Sequence, residues 1–221
     1  MNWAWYRAGR VVTRSIIFFT MRVRTLRASV PARDGGYVLA LSHQGHLDPF
    51  LAGSFQDRPI VWMTRKEFFR HPLARWAIRR LNGFCVDRHG VPVSSIRHAI
   101  ARAREGEVVG ICPEGGVMRG GDTCFRGGPI KRGASSVAIH AKVPIVPCLI
   151  LGSARLTRVG PWLPAKRGRL WVAYADPIQA PAGSKSTRAT RKELSRRLEE
   201  AYVTLYAEMV EKMGVDDWWV Q

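Results

Sequence analysis

Cysteine is scarce in this sequence and forms no motif. The four cysteines among 221 residues, Cys85, Cys112, Cys124 and Cys148, include no Cys-x-x-Cys pair. That spacing argues against a disulfide or metal framework, and the apolar or strand-like neighbours of Cys85, Cys112 and Cys148 mark them as reduced core residues of a cytosolic-facing protein. Long hydrophobic runs are missing too. The apolar stretch near the start, Val11 to Val23, carries Arg14 and Arg22 and is too short and too charged to be a bilayer-spanning helix of about 20 apolar residues. No small-residue cleavage site follows it, so it is not read as a signal peptide. Acidic residues are the third deficit: 17 against 35 Lys and Arg, a formal net charge of +18. Such a surface attracts polyanions, whether nucleic acid, anionic lipid headgroups or phosphorylated small molecules. Nucleic acid is not the expected partner, because the basic residues are spread along the chain with no recognition module and the aromatics do not alternate with them as stacking platforms.

What is present suits one α/β domain with a short appendage. The appendage, residues 1–32, is amphipathic: Arg7, Arg10, Arg14, Arg22, Arg24 and Arg27 flank or punctuate apolar residues, and Trp3, Trp5 and Tyr6 are rings suited to the headgroup level. It reads as a segment lying on an anionic membrane surface, with a helix packed on the domain core as the alternative. After the turn at Asp34-Gly35-Gly36, residues 33–221 alternate strand-like and helix-like stretches. Strands are expected at Tyr37 to Leu41, Ile60 to Thr64, Phe84 to Val86, Val108 to Cys112, Pro144 to Leu151 and Arg169 to Ala175. Helices are expected in a basic region from Lys66 to Leu81, where Pro72 starts the second half, and at Val93 to Glu105, Ala134 to Ala141 and Thr187 to Met213. In the last of these, Leu194, Leu198, Ala201, Tyr202, Leu205 and Met209 recur at steps of three and four and predict one buried stripe. The pattern predicts a mixed or largely parallel sheet flanked by helices. Pro177 to Ser186 is the one linker-like stretch, and no internal repeat is seen.

Directly behind the first buried strand stands His43-Gln44-Gly45-His46-Leu47-Asp48. Loops at the ends of buried strands are where open α/β sheets place reactive groups. A carboxylate five positions beyond a histidine can hold one imidazole tautomer and stabilise the imidazolium, leaving the other ring nitrogen to take a proton from a hydroxyl. That scheme needs no serine or cysteine nucleophile. His43, His46 and Asp48 drawn as metal ligands would lack a further ligand, so no metal is expected. The glycine-rich basic span from Gly115 to Gly133, with Arg119, Arg126, Lys131 and Arg132, is too irregular for a helix and reads as an anion-binding loop.

Four elements now stand in a fixed order, and together they resemble the glycerolipid acyltransferases of the lysophosphatidic acid acyltransferase type. His43 and Asp48 match the family's His-x4-Asp. Gly83-Phe84-Cys85-Val86-Asp87-Arg88 matches its glycine and arginine closing a short strand. Cys112-Pro113-Glu114-Gly115-Gly116-Val117 meets its Phe-Pro-Glu-Gly-Thr-Arg block, and Val143-Pro144-Ile145-Val146-Pro147 its Val-Pro-Ile-Val-Pro block. The resemblance runs from about Val38 to Pro147, with similar context at Lys66-Glu67 and from Phe125 to Ala134.

The resemblance implies a glycerol-3-phosphate acyltransferase-like fold and transfer of a fatty acyl group from acyl-CoA or acyl carrier protein to a lysophospholipid hydroxyl. Lysophosphatidic acid leads as the acceptor, and the thioester is a co-substrate, with no cofactor. In that scheme His43 is the base and Asp48 fixes its ring. Arg88 suits a bidentate grip on phosphate, and Glu114 and Gly115 belong to the acceptor site. Backbone N–H groups at Gly45 or Gly115 are candidate donors to the tetrahedral intermediate. The family's Thr-Arg is replaced here by Gly116-Val117, leaving Arg119 as the nearest cation and Lys131 or Arg132 as substitutes. That departure touches the acceptor rather than the chemistry, and admits another lysolipid or a glycolipid. The expected location is the cytoplasmic face of a membrane, peripheral or monotopic.

Overall fold

The apolar runs assemble into one seven-stranded sheet in a computed structural model that describes residues 3–27, 35–45, 47–65, 72, 83–86, 93–154, 168–181 and 185–215. In chain order the elements are α1 (Trp3–Thr20), β1 (Met21–Leu26), β2 (Tyr37–Leu41), α2 (Asp48–Phe55), β3 (Ile60–Arg65), β4 (Gly83–Val86), α3 (Val93–Arg104), β5 (Val108–Ile111), α4 (Gly133–Ala141), β6 (Ile145–Leu151), β7 (Gly168–Tyr174) and α5 (Arg188–Met213). The strand order is β1-β7-β6-β2-β5-β3-β4. Every pairing is parallel except β6 with β7. This is the mixed, largely parallel sheet that the sequence predicts. The expected basic helix from Lys66 to Leu81 lies outside the described residues, apart from Pro72.

Because successive strand residues point to opposite faces, the central strand β2 feeds two cores. Val38 and Ala40 pack with Ala99 of α3, Val137 of α4 and Leu198 of α5. Tyr37, Leu39 and Leu41 pack with Ile17 of α1 and Leu51 of α2. A strand covered on both faces is apolar throughout, as parallel strands are. The predicted stripe of α5 is the largest helical contribution: Leu194, Leu198, Tyr202, Leu205 and Met209 are all buried. Thr187 caps that helix, its Oγ1 accepting the Thr190 N–H at 3.1 Å while Thr190 Oγ1 accepts the Thr187 N–H at 2.9 Å.

Two elements were not anticipated. The amphipathic segment read over 1–32 is not uniform, because its second part, Met21–Leu26, is an edge strand pairing with β7 from Met21 opposite Gly168 to Leu26 opposite Ala173. The other is α2, which starts at Asp48 with Pro49 in its first turn, where proline's fixed φ suits a helix. Helix α1 is packed on the domain by Tyr6 and Ile17, while Val11, Val12, Phe18 and Phe19 are exposed.

The crossings decide where a site can form. From β2 the chain passes through α2, on one face of the sheet, to β3; from the adjacent β5 it passes through α4, on the other face, to β6. Neighbouring parallel strands whose connections leave to opposite faces open a crevice at their carboxyl ends. His43 and Glu114 stand just beyond those two ends.

Candidate active site

The turn after β2 is held from both sides. Ser42 N–H donates to the Cys148 carbonyl at 3.0 Å and Ser42 Oγ accepts the Ile150 N–H at 3.2 Å, which ties the strand exit to β6. Asp48 N–H then donates to the Gly45 carbonyl at 3.1 Å and closes the turn. Asp48 is fully buried, and its Oδ2 accepts three donors: the Gln44 N–H at 2.7 Å, the Gly45 N–H at 2.8 Å and the His43 ring Nδ1 at 3.2 Å. Main-chain donors offset part of the cost of burying that carboxylate, and its contact with Nδ1 leaves Nε2 as the ring nitrogen free to take a proton. The His43 side chain is 16% exposed, so a substrate hydroxyl can reach it.

The loop after β5 reaches the same place. Glu114 is 2% exposed. Its Oε2 accepts the main-chain N–H of His43 at 2.6 Å and its Oε1 the main-chain N–H of Cys124 at 2.9 Å. Met118 N–H donates to the His43 carbonyl at 2.9 Å. Burial raises the Glu114 pKa, opposed by these main-chain bonds and by the nearby His43. Burial, and next the Glu114 charge, push the Cys124 thiol well above its ordinary value.

Between Glu114 and Met118 the span is half-buried, and a lysine lies against it. Gly115 has φ +76°, and a Cβ there would lie 2.5 Å from Lys131 Nζ and 2.7 Å from its Cε, so the lysine chain runs across the glycine. Lys131 is brought there by its own main chain, whose N–H donates to the Pro113 carbonyl at 2.8 Å. Lys131 and Arg119 are exposed, and neither forms an ion pair with a described residue. The glycine-rich span from Gly115 to Gly133 is irregular, as expected, with two short 3-10 turns at Gly120–Asp122 and Cys124–Arg126.

The structure thus gathers His43, Asp48, Glu114, Gly115 and Lys131 around one loop pair. Arg88 and His46 lie outside the described residues. The two N–H groups expected to serve the tetrahedral intermediate are otherwise engaged: Gly45 donates to Asp48 and Gly115 to the Cys112 carbonyl at 3.0 Å. Sequence reasoning also missed Cys124 and Met118. Both act through main-chain N–H groups, which leave no signature in residue type. Among the described residues, Cys112, Cys124 and Cys148 form no disulfide.

An imidazole with its Nδ1 on a buried carboxylate, beside a loop that carries the exposed cations Arg119 and Lys131, can deprotonate a hydroxyl on an anionic molecule. Comparison with known proteins leads to the same chemistry. The profile of the family described as Acyltransferase matches residues 22–151. The chain is 30% identical over 180 residues to a 1-acyl-sn-glycerol-3-phosphate acyltransferase of Bacillus subtilis (strain 168), spanning 79% of this chain and 84% of that one. It is 25% identical over 160 residues to the chloroplastic 1-acyl-sn-glycerol-3-phosphate acyltransferase BAT2 of Brassica napus, 72% of this chain and 44% of that one. The crystal structure of the 1-acyl-sn-glycerophosphate (LPA) acyltransferase PlsC from Thermotoga maritima superposes with a TM-score of 0.68 at 22% identity, covering 91% of this chain and 80% of that one.

Proposed function

The chain belongs to the acyltransferase family, and on that footing we propose that it transfers a fatty acyl group from an acyl thioester to the free hydroxyl of 1-acyl-glycerol-3-phosphate, giving phosphatidic acid. The observation that carries the reading is the 3.2 Å contact between His43 Nδ1 and buried Asp48 Oδ2 at the mouth of β2. His43 Nε2 takes the proton of the acceptor hydroxyl as its oxygen attacks the thioester carbonyl, and the C–S bond breaks as the tetrahedral intermediate collapses. The imidazolium, stabilised by Asp48, returns the proton to the thiolate. Ester and thiol are the products, and no acyl-enzyme forms. General-base assistance of this kind is worth about 10²–10⁴-fold. The donor is acyl-CoA or acyl carrier protein, and no cofactor enters.

The acceptor phosphate is met by Lys131, Arg119 and Arg88. Lys131 is the best placed of the described cations, since it lies across Gly115, next to the residue that contacts the His43 main chain. The proposed location is an anionic membrane surface, peripheral or monotopic, at the cytoplasmic face, and helix α1 supports the surface attachment. Its inward side docks through Tyr6 and Ile17, whereas Phe18 and Phe19 are 73% and 69% exposed beside Val11, Val12 and Ile16. Arg7 and Arg14 are exposed on the same helix. An exposed apolar stripe bordered by arginines suits a headgroup boundary. No described helix is long and apolar enough to cross a membrane.

The test is thioester consumption by the purified protein on anionic vesicles with a panel of lysolipids, beside His43→Ala. Turnover that requires lysophosphatidic acid and vanishes in the variant is the expected result. Turnover indifferent to His43, or none with any acceptor, would overturn the reading. One observation favours a second acceptor: Val117 stands where the resemblance calls for arginine. Preference in the same panel for another lysolipid or a glycolipid would decide for it.

A further inference from the structure

We propose that Glu114 is a positioning residue for the base His43 and does not contact the acceptor. The inference rests on the function proposed above and revises one role within it. Three observations carry it. Glu114 is 2% exposed, which leaves almost no surface for a substrate to touch. Both of its oxygens are taken by main-chain donors, the His43 N–H at 2.6 Å and the Cys124 N–H at 2.9 Å. The same strap returns at Met118, whose N–H holds the His43 carbonyl at 2.9 Å. The strap from Glu114 to Met118 therefore grips the main chain of His43 at both its N–H and its C=O.

The residue type follows from the job. The two N–H donors belong to segments far apart in sequence, and one acceptor group must reach both. A carboxylate has a full oxygen for each, whereas an amide offers one oxygen and turns an NH₂ toward the other donor. Hydrogen bonds to an ionised acceptor are shorter and roughly twice as strong as neutral ones, which offsets part of the cost of burying the charge. Asp48 orients the imidazole ring, and Glu114 locates the backbone that carries it. Nε2 is placed by the two carboxylates together. Because Cys124 lies midway along the glycine-rich span, the clamp also ties that span to the base.

The assay separates positioning from acceptor binding by a split of kinetic constants. In Glu114→Gln, kcat is expected to fall about 10- to 100-fold, the effect of losing a hydrogen bond to a charged group, while KM for lysophosphatidic acid stays within about twofold. Thioester hydrolysis without acceptor, where it depends on His43, should fall by the same factor. Glu114→Asp keeps the charge but is one methylene short of spanning both donors, and its kcat should lie between the two. Amide hydrogen exchange of the peptide around His43 should accelerate in Glu114→Gln while the α5 core stays protected, a readout that needs no turnover. A rise in KM for lysophosphatidic acid with hydrolysis unchanged would make Glu114 an acceptor ligand and overturn the proposal. Unchanged exchange at His43 would overturn it as well. If the unaltered protein acylates no lysolipid, the functional reading fails, and the exchange experiment still decides whether the clamp exists.

Discussion

His43 Nδ1 lies 3.2 Å from Asp48 Oδ2, the same oxygen that receives the Gln44 and Gly45 N–H groups. One buried oxygen therefore both shapes the turn and orients the base. The turn cannot be altered without moving the imidazole, and the carboxylate cannot be removed without leaving main-chain donors unpaired.

The two members of the pair should accordingly fail in different ways. His43→Ala is expected to lower kcat by about 10²–10⁴-fold with little change in Tm, because losing its ring still leaves Asp48 Oδ2 with two main-chain donors. Asp48→Ala should lose comparable activity and also about 1–3 kcal/mol of stability for each buried donor left unpaired. Paired kinetics and thermal melts check the contrast, and equal destabilisation by both variants would contradict it.

Gly115 and Lys131 should behave as one unit. A Cβ at 115 would strike the Lys131 side chain at 2.5 Å from Nζ, in a backbone conformation of φ +76° that L residues adopt at a cost of roughly 1–2 kcal/mol. Gly115→Ala is therefore expected to raise KM for a phosphate-bearing acceptor as Lys131→Ala does, by about tenfold for a lost charged contact. The double variant should be no worse than the single ones. Arg119→Ala, assayed beside them, should cost less.

The outward face of α1 should govern membrane attachment and not folding. Phe18→Glu with Phe19→Glu changes two exposed residues, so Tm should stay nearly constant while sedimentation with anionic vesicles is lost. Raising salt should weaken vesicle binding of the unaltered protein, since part of the attraction is carried by Arg7 and Arg14. Wild-type-like sedimentation of the double variant would move the attachment surface elsewhere.

Stability should carry a signature of Glu114. Its pKa is raised in the fold, chiefly by burial, above its ordinary value of 4.5. The folded state thus binds the proton more tightly than the unfolded one, and stability falls as pH rises from the ordinary value through the folded pKa. Glu114→Gln has no such titration. The Tm difference between wild type and variant should shift against the wild type as pH rises across that window, and a parallel pair of Tm–pH curves would refute this.

Much of the architecture was legible in the sequence because local pattern and burial agree. Val108-Val109-Gly110-Ile111 and Ile145 to Leu151 are apolar throughout since they are covered on both faces. The α5 stripe was readable from its spacing. Met21–Leu26 was harder to read. Its alternation of apolar and basic residues follows Phe18-Phe19 without a break, so strand and helix merge into one amphipathic stretch until β7 offers a partner edge. For α2 the signal is short, an aspartate followed by proline, and the eight residues of the helix have no apolar periodicity to mark it.

The site divides along the same line. Residue types and spacing sufficed for His43 and Asp48, because a base and its carboxylate lie five positions apart on one turn and their chemistry is carried by side chains. The sequence also marked Val117 as a departure and Lys131 as a substitute cation. Only the tertiary structure joined β2 to β5, set Glu114 against the His43 main chain, laid Lys131 across Gly115, and engaged the Gly45 and Gly115 N–H groups that looked available. These relations run through backbone donors and long-range contacts. A backbone N–H is the same in every residue but proline, so its partner is decided by the fold alone.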